Sequence, residues 1–269
     1  MIESLIAAGG PAIPVRPLSA ATLKDWVAHQ EKRVAAWVES NRFVGASGRT
    51  CLIPAPEGGI AEVLIGVAEE DDLWPYGALP SGLPEGDYRL IEDELDEAAQ
   101  GRAALGWALG AYAYSRYKSR ERTPARLAWP GKADRGAVTR TAEAVYLVRD
   151  LINTPAGDMG PAELADAAER VGAAHGASVA TIVGEALLEE NYPAIHAVGR
   201  ASERAPRLVD LRWGRTGPKV TLVGKGVCFD SGGLDIKPGA SMLLMKKDMG
   251  GAAVALALAQ LVMDAKLPV

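Results

Sequence analysis

Between Leu23 and Val38, the residues Leu23, Trp26, Val27, Val34, Trp37 and Val38 recur at near-helical spacing with charged residues between them, which predicts an amphipathic helix. Thr50–Ile53 and Glu62–Val67 are short strand-like apolar runs, separated by the turn-forming stretch Pro54-Ala55-Pro56-Glu57-Gly58-Gly59. After a Gly/Pro-rich segment, Gly77–Gly86, apolar residues lie all round the helical pattern of Ala103–Lys118, as in a buried helix. Trp107, Tyr112, Tyr114 and Tyr117 in that pattern read as packing residues rather than a cofactor box.

Ser119–Gly136 is polar, charged and interrupted by Pro124 and Pro130, and reads as a linker. It divides an amino-terminal α/β domain, residues 1–118, from a second domain, residues 137–269. In the second domain a helix is predicted over Ala137–Leu151, ending at Asn153-Thr154-Pro155. A second follows over Ala162–Ala174, with Pro161 in its first turn. Ser178–Val183 reads as a strand, Glu185–Glu189 and Pro193–Gly199 as helical, and Gly250–Asp264 as a last helix. Arg207–Arg212 and Lys219–Gly224 read as two strands joined by a hairpin turn at Gly214-Arg215-Thr216-Gly217. Alternating strands and helices place the chain in the α/β class, with a central mixed sheet in the second domain.

The length, 269 residues, accommodates two domains of ordinary size. Lys+Arg 29 against Asp+Glu 34 leaves a net charge of −5, which argues against a nucleic-acid or anionic-membrane binder. Two cysteines, Cys51 and Cys228, cannot form a disulfide framework or alone build a thiolate zinc site. Three histidines, His29, His175 and His196, rule out a His-rich cage, so a bound metal would be held mainly by oxygen. His29 reads as helix surface, His175 as a residue of a helix end, and His196 as a core residue. No basic region opens the chain, where Glu3 stands, and the longest apolar run, Ala252–Met263, is interrupted by Gln260 and falls short of the ~20 residues of a membrane span. The expectation is a soluble, cytoplasmic protein.

The chemistry concentrates in Val223–Ala253. There an apolar run gives way to a loop punctuated by Gly224, Gly226, Gly232, Gly233 and Gly239 and carrying Lys225, Asp230, Asp235, Lys237, Lys246, Lys247 and Asp248. Glycines let backbone approach a bound ion or substrate, and loops at strand ends are where α/β sites are built. Several short patterns compete. Gly224-Lys225 lacks the Ser/Thr and spacer of a phosphate loop, because Gly226 follows the lysine. Asp230-Ser231-Gly232-Gly233 resembles a serine-protease nucleophile segment, but that chemistry belongs to an all-β two-barrel fold. Cys228 has no identified histidine partner, and a charged surface loop without chemistry leaves the density of glycines unexplained.

Taken together, Val223-Gly224-Lys225-Gly226, Phe229-Asp230-Ser231-Gly232-Gly233, Lys237-Pro238 and Asp248-Met249-Gly250-Gly251-Ala252 resemble, in register, the signature of the leucyl aminopeptidase family, the M17 di-zinc metallopeptidases. Arg149–Pro155 and Asn191–Pro206 resemble two further family segments. The resemblance covers Arg149 to Val269 well, and the first hundred residues only as a variable α/β domain. It implies that Lys225 and Asp248 ligate one metal ion, that Asp230 bridges two, and that Lys237 polarises the peptide carbonyl. A lysine ligates metal only as the neutral amine, so the cation must displace its proton. A carboxylate can bridge because each oxygen can hold one ion, and two close ions share and acidify a water. Lys237, still protonated, is an oxyanion donor. Met242 and Met245 are candidate lining residues for the substrate's amino-terminal side chain.

The resemblance further implies two divalent ions, zinc or manganese, peptide substrates and a homo-oligomer, a hexamer in the family. The family's later Asn-Thr-Asp-Ala-Glu-Gly-Arg segment, which supplies two more carboxylates and an arginine holding a bicarbonate, has no counterpart within residues 1–269. Lys225, Asp230 and Asp248 cannot fill two zinc ions of about four ligands each. The expectation is therefore the front part of a longer metallo-exopeptidase that releases amino-terminal residues such as leucine. The alternative is a non-catalytic remnant or a peptide-binding or interaction subunit. A DNA-binding homologue is disfavoured by the acidic balance.

Overall fold

The computed structural model describes residues 2–68, 72–93 and 95–269. The chain divides into two compact units, Met1–Glu143 and Ala144–Val269. The first carries strands β1 (Leu5–Ile6), β2 (Ile13–Leu18), β3 (Thr50–Pro54), β4 (Ile60–Gly66), β5 (Asp87–Leu90) and β6 (Arg126–Ala128). Its helices are α1 (Ala20–Ala28), α2 (Lys32–Ser40), α3 (Trp74–Gly77), α4 (Leu79–Gly82) and α5 (Glu97–Gly110), and the division between units falls within α6 (Arg135–Asn153).

The six strands form one sheet in the order β1-β6-β5-β2-β4-β3, parallel throughout except for the antiparallel β3–β4 pair. Val15 of β2 faces Val63 of β4, and Val15, Val63, Leu64, Ile65 and Tyr88 are closed to solvent, as expected of a mainly parallel sheet covered on its faces. β2 is absent from the hydrophobic pattern because Pro14 and Pro17 stand in it, each removing a ladder donor. Trp107 of α5 closes one side of the core. Its ring lies 5.9 Å from that of Tyr88, and its Nε1–H donates to the carbonyl of Ala125 at 2.9 Å.

Three expectations for this unit are corrected. The helix predicted over Leu23–Val38 is two helices, α1 and α2. His29 Nδ1 and the Gln30 side-chain amide take up the carbonyls of Asp25 and Trp26, which ends α1 by competing with the next helical turn. The helix predicted over Ala103–Lys118 starts earlier, capped by the Asp96 side chain on the Ala99 N–H, and stops at Gly110. Beyond it the charged run 116–122 cannot enter a core, and Tyr117 is exposed. The segment 119–136, expected as a linker, contains β6, which lies in the sheet between β1 and β5 with Leu127 facing both Leu5 and Tyr88. Three residues are too short to announce a strand by alternation, and only the two neighbouring strands make β6 one.

The second unit carries α7 (Pro161–His175), β7 (Ser178–Val183), α8 (Ala186–Glu189), α9 (Pro193–Gly199), β8 (Arg207–Arg212), α10 (Gly239–Met242) and α11 (Gly250–Asp264). α7 begins with Pro161 at its first turn, the Glu163 carboxylate accepts the Gly160 N–H at 2.9 Å, and Gly176 in the left-handed conformation ends it. Its core is helical. Ala167, Ala168 and Val171 of α7 pack with Leu151 of α6, Met249, and Ala253, Leu256 and Met263 of α11.

The central mixed sheet expected here is a two-stranded antiparallel ribbon, β7 with β8, running from Ser178 opposite Arg212 to Val183 opposite Arg207. The hairpin expected between Arg207–Arg212 and Lys219–Gly224 does not form, and β8 pairs instead with the preceding strand, β7. Residues 219–224 take no regular secondary structure and no ladder partner, and Val220 and Val223 stand in solvent. A strand exists by its neighbour, and among the described residues this segment has none. No described helix is long and apolar enough to cross a membrane.

Candidate metal centre

The loop between the irregular segment 219–224 and α11 gathers the sequence-predicted site residues into two pairs. Lys225 and Asp248 form the first. The Lys225 Nζ lies 3.9 Å from Asp248 Oδ2, with the Asp248 side chain only 12% exposed and that of Lys225 61%. Asp248 sits in a 3-10 turn, Met245–Met249, which the fully buried Met249 anchors in the helical core. Lys225 is brought to it by the backbone. The Ala252 N–H, in the first turn of α11, donates to the Lys225 carbonyl at 2.9 Å. A Cβ on Gly224 would lie 2.5 Å from Ala252 Cα, so this approach of loop to helix requires glycine.

The second pair is Asp230 with Lys237. Lys237 Nζ donates to Asp230 Oδ2 at 2.7 Å and lies 3.2 Å from Met245 Sδ, while Asp230 Oδ1 accepts the Gly232 N–H at 3.0 Å. The Lys237 hydrogen bond, then that of Gly232, hold the Asp230 carboxyl below its usual pKa range, and the more distant Lys225 charge adds to this. The Lys237 N–H closes the loop on the Ser231 carbonyl at 3.0 Å. Gly232 at its bend has φ +90°, with the place of a Cβ 2.1 Å from the Asp235 carbonyl oxygen. The chain is thereby folded so that Asp230 and Lys237, seven positions apart, meet.

The structure thus brings Lys225 to Asp248, and Lys237 to Asp230 and Met245, with the two pairs in electrostatic reach of one another. Met242 lies half-buried in α10, with no polar contact to these groups given by the structure. Two lysines without an expected role also contribute. Lys247 Nζ lies 3.5 Å from Asp248 Oδ1, and Lys246 Nζ donates to the Asn153 carbonyl at the end of α6 at 2.7 Å, tying the 3-10 turn to a residue 93 positions away. No spacing signal could have announced that contact. Arg204 does similar work upstream, donating to the carbonyls of Ala156 and Gly157 at 3.0 and 2.5 Å, just beyond the Arg149–Pro155 segment.

Burial first, then the nearby Glu163 charge, push the Cys228 thiol up to about 11, so the thiolate is scarce at neutral pH. His196 Nε2 meets Glu185 Oε1 at 3.0 Å and His175 Nε2 meets Asp264 Oδ1 at 2.8 Å, both outside the loop. His29 lies exposed at the end of α1.

Two carboxylates and one amine suit a hard or borderline divalent cation by donor type. Among the described residues no three His, Cys, Asp or Glu side chains come together at one point, so the donors present are a partial set.

The sequence matches the description "Cytosol aminopeptidase family, catalytic domain" over residues 146–269 and "M17 aminopeptidase, N-terminal domain" over residues 13–130. It is 37% identical over 255 residues to a probable cytosol aminopeptidase of Rhodococcus jostii, covering 84% of this chain and 50% of that protein. The fold superposes on the crystal structure of a cytosol aminopeptidase from Coxiella burnetii with a TM-score of 0.90 at 46% identity, over 99% of this chain and 59% of that one. It also superposes on the bottromycin maturation enzyme BotP, solved in complex with Mn, with a TM-score of 0.75 at 28% identity, over 96% and 57% of the two chains. The chain spans about half the length of the curated relatives it matches. With family descriptions matched in both units and the highest of these likenesses extending over nearly its whole length, this chain belongs to the M17 cytosol aminopeptidase family.

Proposed function

We propose that the protein is a metal-dependent aminopeptidase, or the part of one, that releases amino-terminal residues such as leucine from peptides, and that Lys225, Asp230 and Asp248 are its contribution to a site for two divalent ions, zinc or manganese. The observation that carries this reading is the approach of Lys225 to Asp248 at 3.9 Å, with Asp230 close enough to feel the same lysine's charge. A bound divalent ion supplies a Lewis acid and an acidified water.

The chain's own groups do the rest. Asp248, held by the buried Met249, presents a carboxylate that is mostly withdrawn from water and so retains its charge strength. Lys225 and Asp230 would join Asp248 in holding the ions. Lys237, whose Nζ already serves as a donor to Asp230, would donate to the carbonyl oxygen that becomes negative during hydrolysis. Met245, already in contact with Lys237, and Met242 line the side-chain subsite. We place the protein in the cytoplasm and assign it a homo-oligomeric assembly on the family pattern, with the first unit, Met1–Glu143, as its amino-terminal domain.

The test is equilibrium dialysis of Mn²⁺ against the wild-type chain, Asp248→Asn and Asp230→Ala, together with hydrolysis of a leucyl chromogenic amide. Each substitution is expected to weaken Mn²⁺ binding at least tenfold, about 1.4 kcal/mol. Equal binding by all three proteins overturns the ligand assignment.

A second reading, a non-catalytic peptide-binding or interaction subunit, is favoured by one observation: the incomplete donor set among the described residues. Leucyl-peptide binding without hydrolysis in saturating Mn²⁺ would select it.

A further inference from the structure

Four lysines crowd the loop that carries the candidate ligands, and they are not spent alike. Lys225 and Lys237 face Asp248 and Asp230, and Lys247 Nζ stands 3.5 Å from Asp248 Oδ1. Lys246 turns elsewhere. Its Nζ donates at 2.7 Å to the carbonyl of Asn153, the last residue of α6. The final carbonyls of a helix have no partner within it, and the negative end of the helix dipole favours a cation there. α6 runs for 19 residues with no basic residue in its own last turn, so Lys246 supplies that cation from 93 positions away. The turn that holds Asp248 needs such an anchor. Met245–Met249 is a five-residue 3-10 turn, with poorer hydrogen bonds than an α-helix and no side chain capping its start. Two of its residues reach fixed supports: Met249 enters the core, fully buried, and Lys246 grips the end of α6. Asp248 stands between them in sequence. The same end of α6 also backs the start of α11, since a Cβ on Gly250 would lie 3.3 Å from Ile152 Cδ1.

We propose that Lys246 is a positioning residue for the metal centre: by binding the last carbonyl of α6, it fixes the turn that presents the Asp248 carboxylate. The proposal rests on the reading of Asp248 as a ligand and adds a residue that acts through Asp248 rather than on the ion or the substrate. Charge gives it a sign. A lysine that only added positive charge near the site would repel a divalent cation, so removing it would tighten binding. A lysine that holds Asp248 in place does the opposite when removed, because the carboxylate must then be ordered as the ion binds, which lowers the net binding energy. Lys247 is the charge-matched comparison. It lies on the same turn with its side chain 56% exposed, and its ammonium faces the ligand carboxylate directly.

The test is equilibrium dialysis of Mn²⁺ against the 269-residue chain and its variants Lys246→Met, Lys246→Arg, Lys247→Met and Asp248→Asn. Lys246→Met keeps the apolar stem and loses the ammonium, and is expected to weaken Mn²⁺ binding about tenfold or more, as loss of an outer support does at metal sites. Lys246→Arg keeps charge and donors and should restore most of that loss. Lys247→Met should bind at least as tightly as wild type. Amide exchange of the metal-free chains gives a second readout. Residues 245–249 should exchange about tenfold faster in Lys246→Met, with α7 and the far-UV circular dichroism unchanged. Should Lys246→Met fail to fold, Lys246→Gln, with a neutral donor on a shorter stem, is read in its place. Wild-type affinity in the Lys246 variant, with Asp248→Asn weakened, overturns the positioning role and leaves the ligand reading standing. Equal affinity of Asp248→Asn and wild type overturns the ligand reading, and the proposal with it. Equal weakening by Lys247→Met, no restoration by Lys246→Arg, or unchanged exchange in residues 245–249 would each overturn the proposal alone.

Discussion

The six-stranded sheet of the first unit and the two-stranded ribbon of the second are built from similarly apolar strands, yet their burial differs completely. Val15, Val63 and Tyr88 of the first are closed to solvent, while every residue of β7 and β8 remains at least partly open. The first unit even satisfies carbonyls of its terminal strand. Arg33 and Trp37 of α2 donate to Pro54 and Leu52 of β3 at 3.3 and 2.9 Å. The second unit stands instead on helices α7 and α11 and the buried Met249. A strand's stability is thus a property of its neighbours, and the unit that carries the candidate chemistry is the one whose strands have the fewest.

The largest effect expected from this contrast is on a pair of identical substitutions. Val63→Asp places a carboxylate where no water reaches, and should cost more than about 4 kcal/mol, unfolding the first unit. Val220→Asp, at a position 60% exposed, should stay within about 0.5 kcal/mol. Urea titrations followed by circular dichroism compare them, and an equally severe Val220→Asp would mean the exposed face is covered in solution.

Core truncations come next. Trp107→Ala should cost about 3–5 kcal/mol through its cavity and its lost bond to Ala125. Met249→Ala is expected near the lower end of the methionine range, about 2 kcal/mol, because a more open core can collapse around it. Thermal unfolding that ranks the two in the opposite order would refute the idea that the second core is looser.

The smallest effect concerns His175. Its Nδ1 faces the Val171 carbonyl at 2.9 Å and its Nε2 faces Asp264 at 2.8 Å, so satisfying both acceptors needs both ring protons. The Val171 bond first, then that to Asp264, raise its pKa above the ordinary 6.5. A raised folded-state pKa gives stability that is complete below 6.5 and lost as pH climbs through the folded value. The wild type should therefore lose up to about 1 kcal/mol relative to His175→Gln over that climb. A His175→Gln profile parallel to wild type at all pH values would remove the pair from the stabilising contacts of α7 and α11.

Much of this was readable from residues alone where the signal was local. α11 matches its predicted bounds, Gly250–Asp264, and β7 matches Ser178–Val183, because long periodic or alternating runs carry their own period. Pro161 and Gly176 mark the ends of α7 through backbone chemistry that belongs to those residue types. What failed was whatever depended on a neighbour. β2 was hidden by its two prolines and β6 by its brevity, while Lys219–Gly224 had the composition of a strand and no partner. In the loop, glycine and charge spacing marked the stretch that carries the chemistry, and the family resemblance singled out Lys225, Asp230, Lys237 and Asp248. Their pairing, Lys225 with Asp248 and Lys237 with Asp230, appeared only once the chain was folded.

The sequence by itself determined the α/β class, the family and the stretch of chain that carries the chemistry, because each rests on residue type and local spacing. Tertiary structure alone decided which strands exist, which lysine faces which aspartate, and that Lys246 reaches back 93 residues to Asn153. Hydrogen-bond ladders and ion pairs are formed between positions far apart in sequence, and no local period encodes the partner.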